Sequence, residues 1–266
     1  MKTLPFALGC TLLAACSLTA RAADAANQLT PEEAGGGWRL LWDGQTTHGW
    51  RSARGPDFPA QGWVIRDGVL TVLSSGGREG GVGGDIITVD KYSNFDLKAD
   101  FKITPRANSG IKIFVDPGLN KGPGSSIGLE YQILDDALHP DAKLGKDGNR
   151  TMGSLYDLYP PARDKHMNPM GEWNSAEIIS DGPHVEHWLN GRKILEYTRF
   201  TPEFRQRVKE SKYRIWPNFG ELHEGYILLQ DHGDEVSFRN IKIRVLPVVA
   251  TRDNYYGVDS PPAAAR

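Results

Sequence analysis

The run LEYQILDDALHPD, Leu129 to Asp141, begins like a strand and ends in aspartates around one histidine. Strand side chains alternate faces, so Leu129, Tyr131 and Ile133 share one side while Glu130 and Gln132 share the other. Glu130 becomes a candidate general base if a groove raises its pKa by desolvation. YILLQDHG, Tyr226 to Gly233, has a similar ending, with Gln230 and His232 on one face and Ile227 and Leu229 on the opposite one. An imidazole both gives and accepts a proton near neutral pH, so His232 near an acid suits acid–base catalysis. The bland alternatives are a solvated polar strand face for Glu130 and Gln132, and a histidine bonded to a neighbouring turn for His232. Two strands that each end in proton-transferring and amide groups point to one shared site.

Asp135, Asp136, His139 and Asp141 offer oxygen and nitrogen ligands at close spacing. They do not reproduce the calcium loop of an EF-hand, nor a histidine pair spaced for zinc on a helix. A divalent metal at this loop and a loop merely capped by its aspartates both stay open, and no cofactor is required. Trp173, Trp188 and Trp216, with Tyr156 and Tyr159, are natural platforms for a sugar ring. Aromatics are equally the usual core of a β-sandwich, so about half of these five are expected to be buried. Trp188 and His187 are neighbours on one strand and face opposite sides.

The elements that must hold these residues are strands. Trp63 to Leu73 is a hairpin around Asp67-Gly68, and Asp181-Gly182 and Asn190-Gly191 signal two more. Phe95 to Ile103 alternates apolar and polar residues as a half-buried strand does. Ile111 to Val115, Gly225 to Gln230 and Val236 to Val245 complete the set. Helical character is confined to TPEFRQRVKESK, Thr201 to Lys212, with Thr201 as cap and Pro202 first, and to one turn near residues 23–37. The spacing predicts an all-β, antiparallel β-sandwich over 38–248 with one short helix. Two long polar, glycine- and proline-rich segments, Asp116 to Ser126 and Asp135 to Gly171, interrupt it; such loops are usually functional.

Composition narrows the field. The formal charge is −2 and no basic block occurs, which gives no electrostatic case for nucleic acid. Thirty glycines and seventeen prolines supply the turns that an all-β domain needs. Residues 1–22 read as an export signal: Met1-Lys2, an apolar run, and Ala20-Arg21-Ala22 as a cleavage site. LAAC, ending at Cys16, is a competing lipoprotein signal. The apolar run is too short for a membrane span of about 20 residues. The expectation is therefore export, to the periplasm or to an outer-membrane lipid anchor. Both cysteines, Cys10 and Cys16, lie in this segment, so a chain processed after it carries no disulfide or thiol nucleophile. Residues 23–37 read as a linker and 249–266 as a loose tail.

The ordered set GWRLLWDGQTTHGW, WVIRDGVLTV, NFDLKADFKI, NSGIKIFV, LEYQILDD, GSLYDLYPP, GEWN, HWLNGRKILEY and EGYILLQDHGDEVSFRNIKI, from Trp38 to Leu246, resembles the 3-keto-disaccharide hydrolase family. That family is described as a 3-keto-glucoside 1,2-lyase and 3-keto-2-hydroxyglucal hydratase domain. The resemblance implies a concanavalin-like jelly roll similar to that of laminarinases, and a 3-keto-glycoside or disaccharide as substrate. A ketone at C3 acidifies the C2 proton; its removal expels the C1 oxygen, and hydration of the product gives net hydrolysis. Such an enzyme needs a base, a donor for the leaving oxygen, and a group that polarises the ketone. The resemblance implies Glu130 or His232 as base, with Gln132 and Gln230 on the groove floor. Lys112, in NSGIKIF, is a candidate to polarise the ketone, and Tyr156 a candidate phenol donor to the leaving oxygen. Asp136 and His139 form the rim, and Trp216 is a sugar platform. A retaining hydrolase wants two carboxylates about 5–5.5 Å apart, whereas this strand face offers one glutamate and an amide. The alternatives are a lectin-like binding module without turnover and a conventional glycoside hydrolase.

Overall fold

The computed structural model describes residues 26–122 and 124–247; the export signal, both cysteines and the tail from 249 lie outside the described residues. A five-residue helix α1 (Pro31–Gly35) comes first, held by a reciprocal cap between Thr30 and Glu33. Then follow β1 (Trp38–Leu40), β2 (Trp50–Ser52), β3 (Trp63–Arg66), β4 (Val69–Val72), β5 (Ile86–Thr88), β6 (Phe95–Ile103), β7 (Asn108–Asp116) and β8 (Ile127–Leu134). After a long loop come β9 (Asn174–Asp181), β10 (His184–Leu189), β11 (Arg192–Thr198), helix α2 (Pro202–Glu210), β12 (Tyr226–Leu229) and β13 (Val236–Val245). Thr201 caps α2 by accepting from Phe204 N, as its sequence predicts. Asp67-Gly68 and Asn190-Gly191 all take positive φ, the type I′ geometry that matches strand twist.

The strands form two antiparallel sheets. The larger runs β11-β10-β9-β6-β13-β4-β3, with β1 also on β13; the smaller runs β2-β5-β12-β7-β8. Odd-numbered residues of β6, from Phe95 to Ile103, meet Ile111, Ile113, Leu129, Tyr131, Ile133, Ile227 and Leu229 of the smaller sheet in one apolar core. This is the antiparallel sandwich that the alternation predicts, of the jelly-roll type that the resemblance implies.

The smaller sheet departs from simple alternation in two ways. A bulge in β7 places Phe114 at φ 53. The extra residue turns Phe114 into the main core, where it meets Phe95, and sends Val115 outward. There Val115 joins Ala53, Ile87 and Leu228 in a second apolar cluster. The second departure is at β8, where every residue from Ile127 to Leu134 is buried. The long loop after β8 folds back along its edge: Gln132 N donates to Ser154 O, Gly153 N to Gln132 O, and Tyr156 N to Glu130 O. Met152, Leu155 and Leu158 of that loop enter the main core. The outer face of the sheet is thus the floor of a covered groove.

Candidate active site

Glu130 of β8 pairs across the ladder with Lys112 of β7, and Gln132 with Gly110. On the next strand, Gln230 N donates to Gly110 O, so Gln230, Gly110 and Gln132 lie in one row. The pleat turns Lys112, Glu130, Gln132 and Gln230 to the same outer face, and all four are buried. Glu130 needs the glycine beside it: a Cβ at Gly110 would stand 2.8 Å from Glu130 Oε1.

His232 follows in a pinned turn. Asp231 accepts from Gly233 N at 3.0 Å and Gly84 N at 2.9 Å, and its own N donates to Asp85. Gly233 has φ 91, and a side chain there would collide with the Arg78 backbone, so the turn requires glycine.

Glu130, Gln132, Gln230, His232, His139 and Tyr156 line one cavity of about 340 Å³. Six of the nine residues singled out from sequence therefore converge. Glu130 Oε2 lies 3.4 Å from Lys112 Nζ. Gln132, with its amide oriented to satisfy the hydrogen-bond network, donates to Glu130 Oε1 at 3.0 Å and to Ser109 O. Gln230 Oε1 and His232 Nδ1 are buried without a protein partner. Buried polar atoms are normally satisfied, so these two are poised for a ligand. His139 packs edge-on to His232, with ring centroids 6.4 Å apart. Burial, and then the charge of His232, lower the His139 pKa.

Three residues stand differently from the sequence expectation. Lys112 faces the groove side, but its ammonium already donates to Ser125 Oγ at 2.6 Å and Ser126 O at 3.1 Å and pairs with Glu130. With its three donors engaged, it serves Glu130 rather than a ketone. Tyr156 donates its phenol proton to Asp141 at 2.7 Å. Burial, and then that bond, raise its pKa. Asp136 turns away from the groove, accepting from Met152 N and pairing with Lys165. Its neighbour Asp135 caps the turn by accepting from Ala137 N and Leu138 N, so Asp141 and His139 are the polar side chains of that loop that line the cavity. Trp216 lines an adjoining recess of about 230 Å³ together with Lys112 and Ser125. Of the other platforms, Trp173 lies under Lys102 and Arg239 of the larger sheet. Tyr159 stacks on Tyr197 and Phe204.

The structure adds residues that strand alternation could not find. Glu79, from the loop after β4, accepts from Ser125 N and lines both the groove and the recess. Lys212, just beyond α2, also lines both, with its ammonium 4.2 Å over the Tyr156 ring. Its side chain keeps exposed surface, but protein crowds it at the groove mouth. That desolvation lowers its pKa, against the opposing pull of Glu130. Asp85 anchors the floor by accepting from Ser125 Oγ at 2.5 Å and Ser126 N at 2.8 Å. Burial raises the Asp85 pKa, and Lys112 opposes the rise. Chemically the groove offers Glu130 held by Lys112 and Gln132, two further carboxylates engaged by Ser125 N and Tyr156, an imidazole with a free nitrogen, the free carbonyl of Gln230 and the Lys212 ammonium. That set suits proton abstraction next to a polarised group.

Residues 37–244 match a family described as a 3-keto-alpha-glucoside-1,2-lyase-like domain. A curated 3-keto-disaccharide hydrolase of Bacteroides thetaiotaomicron is 40% identical over 230 residues, covering 79% of each chain. Two crystal structures from Parabacteroides distasonis, provisionally assigned as glycosyl hydrolases, share the fold. One is 33% identical with a TM-score of 0.72, covering 84% of this chain and 100% of its own. The other is 28% identical with a TM-score of 0.60, covering 79% and 99%. No helix among the described residues is long and apolar enough to cross a membrane.

Proposed function

The chain belongs to the 3-keto-alpha-glucoside-1,2-lyase-like family, and from that premise we propose that its groove cleaves 3-keto-glycosides by elimination followed by hydration. The carrying observation is the convergence of Glu130, fixed by Lys112 and Gln132, with the unpartnered Gln230 Oε1 and His232 Nδ1 in one cavity.

Glu130 takes the C2 proton of the keto-sugar. The electron pair moves into the C2–C3 bond and the ketone becomes an enolate. Lys212 supplies the positive charge for that oxygen, since its ammonium has no carboxylate partner among the described residues. As the enolate collapses, the C1–O bond breaks, and His232 protonates the departing oxygen. Water then adds at C1 and gives its proton to His232, and Glu130, whose carboxyl exchanges its proton with solvent while the glucal is bound, protonates C2, so the sum is hydrolysis with no proton gained or lost. Gln230 orients the sugar through its free carbonyl. Tyr156, committed to Asp141, shapes the wall. Enolate stabilisation by a nearby cation is the kind of electrostatic term that contributes most to such reactions. Export, by cleavage after Ala22 or lipidation at Cys16, belongs to the same proposal, because the substrate would be met outside the cytoplasm.

The test compares an aryl 3-keto-glucoside with its unoxidised parent, in ordinary and in heavy water. Release of the phenol from the keto form alone, with deuterium appearing at C2 of the product, is the expected result. Equal release from both, or release without deuterium at C2, would show displacement at C1 instead. Binding without release of either would leave only a lectin-like module.

A further inference from the structure

The chain has seven tryptophans, and all but Trp216 are tied down by polar or cationic neighbours. The indole N–H groups of Trp42, Trp50, Trp63 and Trp188 donate to Thr46 O, Leu41 O, Gly84 O and Glu186. Trp38 lies under Lys98 and Arg244, and Trp173 under Lys102 and Arg239. Trp216 has neither an acceptor on its N–H nor a cation over its ring among the described residues. It is half-buried, tilted at 51° against Tyr213, and lines the recess of about 230 Å³ beside the groove.

The passage between groove and recess is open. Glu79 and Lys212 line both, and no ion pair joins these two side chains among the described residues. On the floor, Lys112 of the recess and Glu130 of the groove are cross-strand neighbours. The recess has no charge excess with which to select an ion. Lys112 is paired with Glu130, and the opposite charges of Lys212 and Glu79 offset each other. One Glu79 oxygen accepts from Ser125 N at 3.2 Å; the other has no donor on it among the described residues. A free aromatic ring and an open acceptor in one neutral recess fit a pyranose, whose C–H face stacks while its hydroxyls donate.

The recess lies at the end of the groove remote from His232. Along the floor the Lys112–Glu130 pair comes first, then the row of Gly110, Gln132 and Gln230, and His232 stands beyond Gln230. Neither His232 nor His139 lines the recess. With C1 at His232, C2 at Glu130 and the C3 oxygen at Lys212, the ring carbon that points to the recess is C4.

We propose that the recess binds a second, neutral pyranose joined to O4 of the keto-sugar, so that the substrates include 3-keto residues inside a 1,4-linked chain. The inference rests on the reading of the groove above. The O4 bond survives the reaction, because the C2 carbanion expels a group from the neighbouring C1 and C4 is not its neighbour. The second ring touches no reacting atom, so its contribution reads out as a gain in kcat/KM.

The test uses the full chain and three compounds with alkoxide leaving groups. They are methyl 3-keto-glucoside, its 4-O-glucosyl derivative, and the isomer in which the second glucosyl unit is the leaving group. The 4-O-glucosyl compound is expected to exceed the methyl glycoside about tenfold in kcat/KM, the scale of one well-placed tryptophan, and the isomer to show no such gain. Measured within each variant, that ratio should fall toward one in Trp216→Ala and be largely kept in Trp216→Tyr. Glu79→Ala changes an exposed loop side chain; it should lower the ratio as well, and it carries the test if Trp216→Ala does not fold. Equal values for the first two compounds, a gain as large for the isomer, or a ratio that survives the alanine substitutions overturns the proposal. If none of the three turns over, the reading of the groove fails instead. The indole N–H resonance of Trp216, assigned through Trp216→Tyr, then decides the recess by itself: a saturable shift with cellobiose keeps it as a pyranose site, and no shift removes it.

Discussion

Gly110→Ala separates the position of Glu130 from the stability of the sheet. The added Cβ would lie 2.8 Å from Glu130 Oε1 and 3.0 Å from its Cγ, where ordinary contact begins at 3.4 Å. The obstacle is the far end of a side chain, so the carboxylate yields by about 0.6 Å while the backbone stays. Overpacking normally costs about 1–3 kcal/mol; here a movable tip puts it at the low end. The reduced freedom of the unfolded chain returns about 0.4–1 kcal/mol. The net effect on Tm is at most about 4 °C for a domain of this size. Catalysis is less forgiving, since a misplacement of 1 Å costs roughly 100-fold. A shift of this size then removes about tenfold or more from kcat. The measurement is kcat and KM for an aryl 3-keto-glucoside beside a calorimetric melt, with Gly35→Ala as control, because nothing lies within 4 Å of a Cβ there. A folded Gly110→Ala protein with unchanged kcat would show that the Glu130 carboxylate does not need its present place, and the assignment of Glu130 as base would fall.

Two further outcomes follow from the same geometry. Glu130→Gln should lower turnover at least ~100-fold, the scale of a lost general base; steady-state rates on the keto-sugar check it, and full activity in a folded variant refutes the role. Asp96→Asn tests the larger sheet. Burial and then the neighbouring Glu177 raise the Asp96 pKa to about 6, against the pull of Lys98 and Arg244. A folded pKa above the unfolded value means the cost is absent below about pH 4, grows as pH rises, and is complete above about pH 6. The amide should therefore stabilise the fold by on the order of 1–3 kcal/mol at pH 7.5, less what the Arg244 contact contributed, and by nothing at pH 3.5. Urea unfolding at the two pH values reads this directly, and an equal effect at both removes the argument.

Much of the scaffold was legible because local rules and the final packing agree. β6 and β13 occupy the spans that their alternation predicts, and the Asp67-Gly68 and Asn190-Gly191 turns have the left-handed residues their chemistry requires. Alternation also placed Glu130 with Gln132 and Gln230 with His232. It could not say that the loops would bury that polar face, since coverage of β8 comes from residues about twenty positions further on. Lys112 and Tyr156 stand apart from expectation for one reason. Sequence shows that a donor is present, whereas its availability depends on Ser125 and Asp141, which only the fold brings near. In Asp135-Asp136 the two side chains diverge, one to a turn and one to Lys165, so neither reports on the groove. Glu79 and Lys212 escaped because they stand outside strands, where no periodicity ties a residue to a face. Lys212 ends the helical segment that Thr201 announces, and helix signals carry no hint of what lies beyond the last turn.

The loop strand that closes β8 has a consequence for self-association. β8 is the last strand of its sheet, and an apolar edge left open is a template onto which another chain can add. Residues 153–156 occupy that template with their own backbone. The same four residues bring Tyr156 to the groove wall. A shorter loop that widened the groove for bulkier glycosides would also unmask the edge, so substrate range and colloidal behaviour are tied through one segment. Engineering of this enzyme for larger substrates is better directed at side chains of the wall than at the length of the loop.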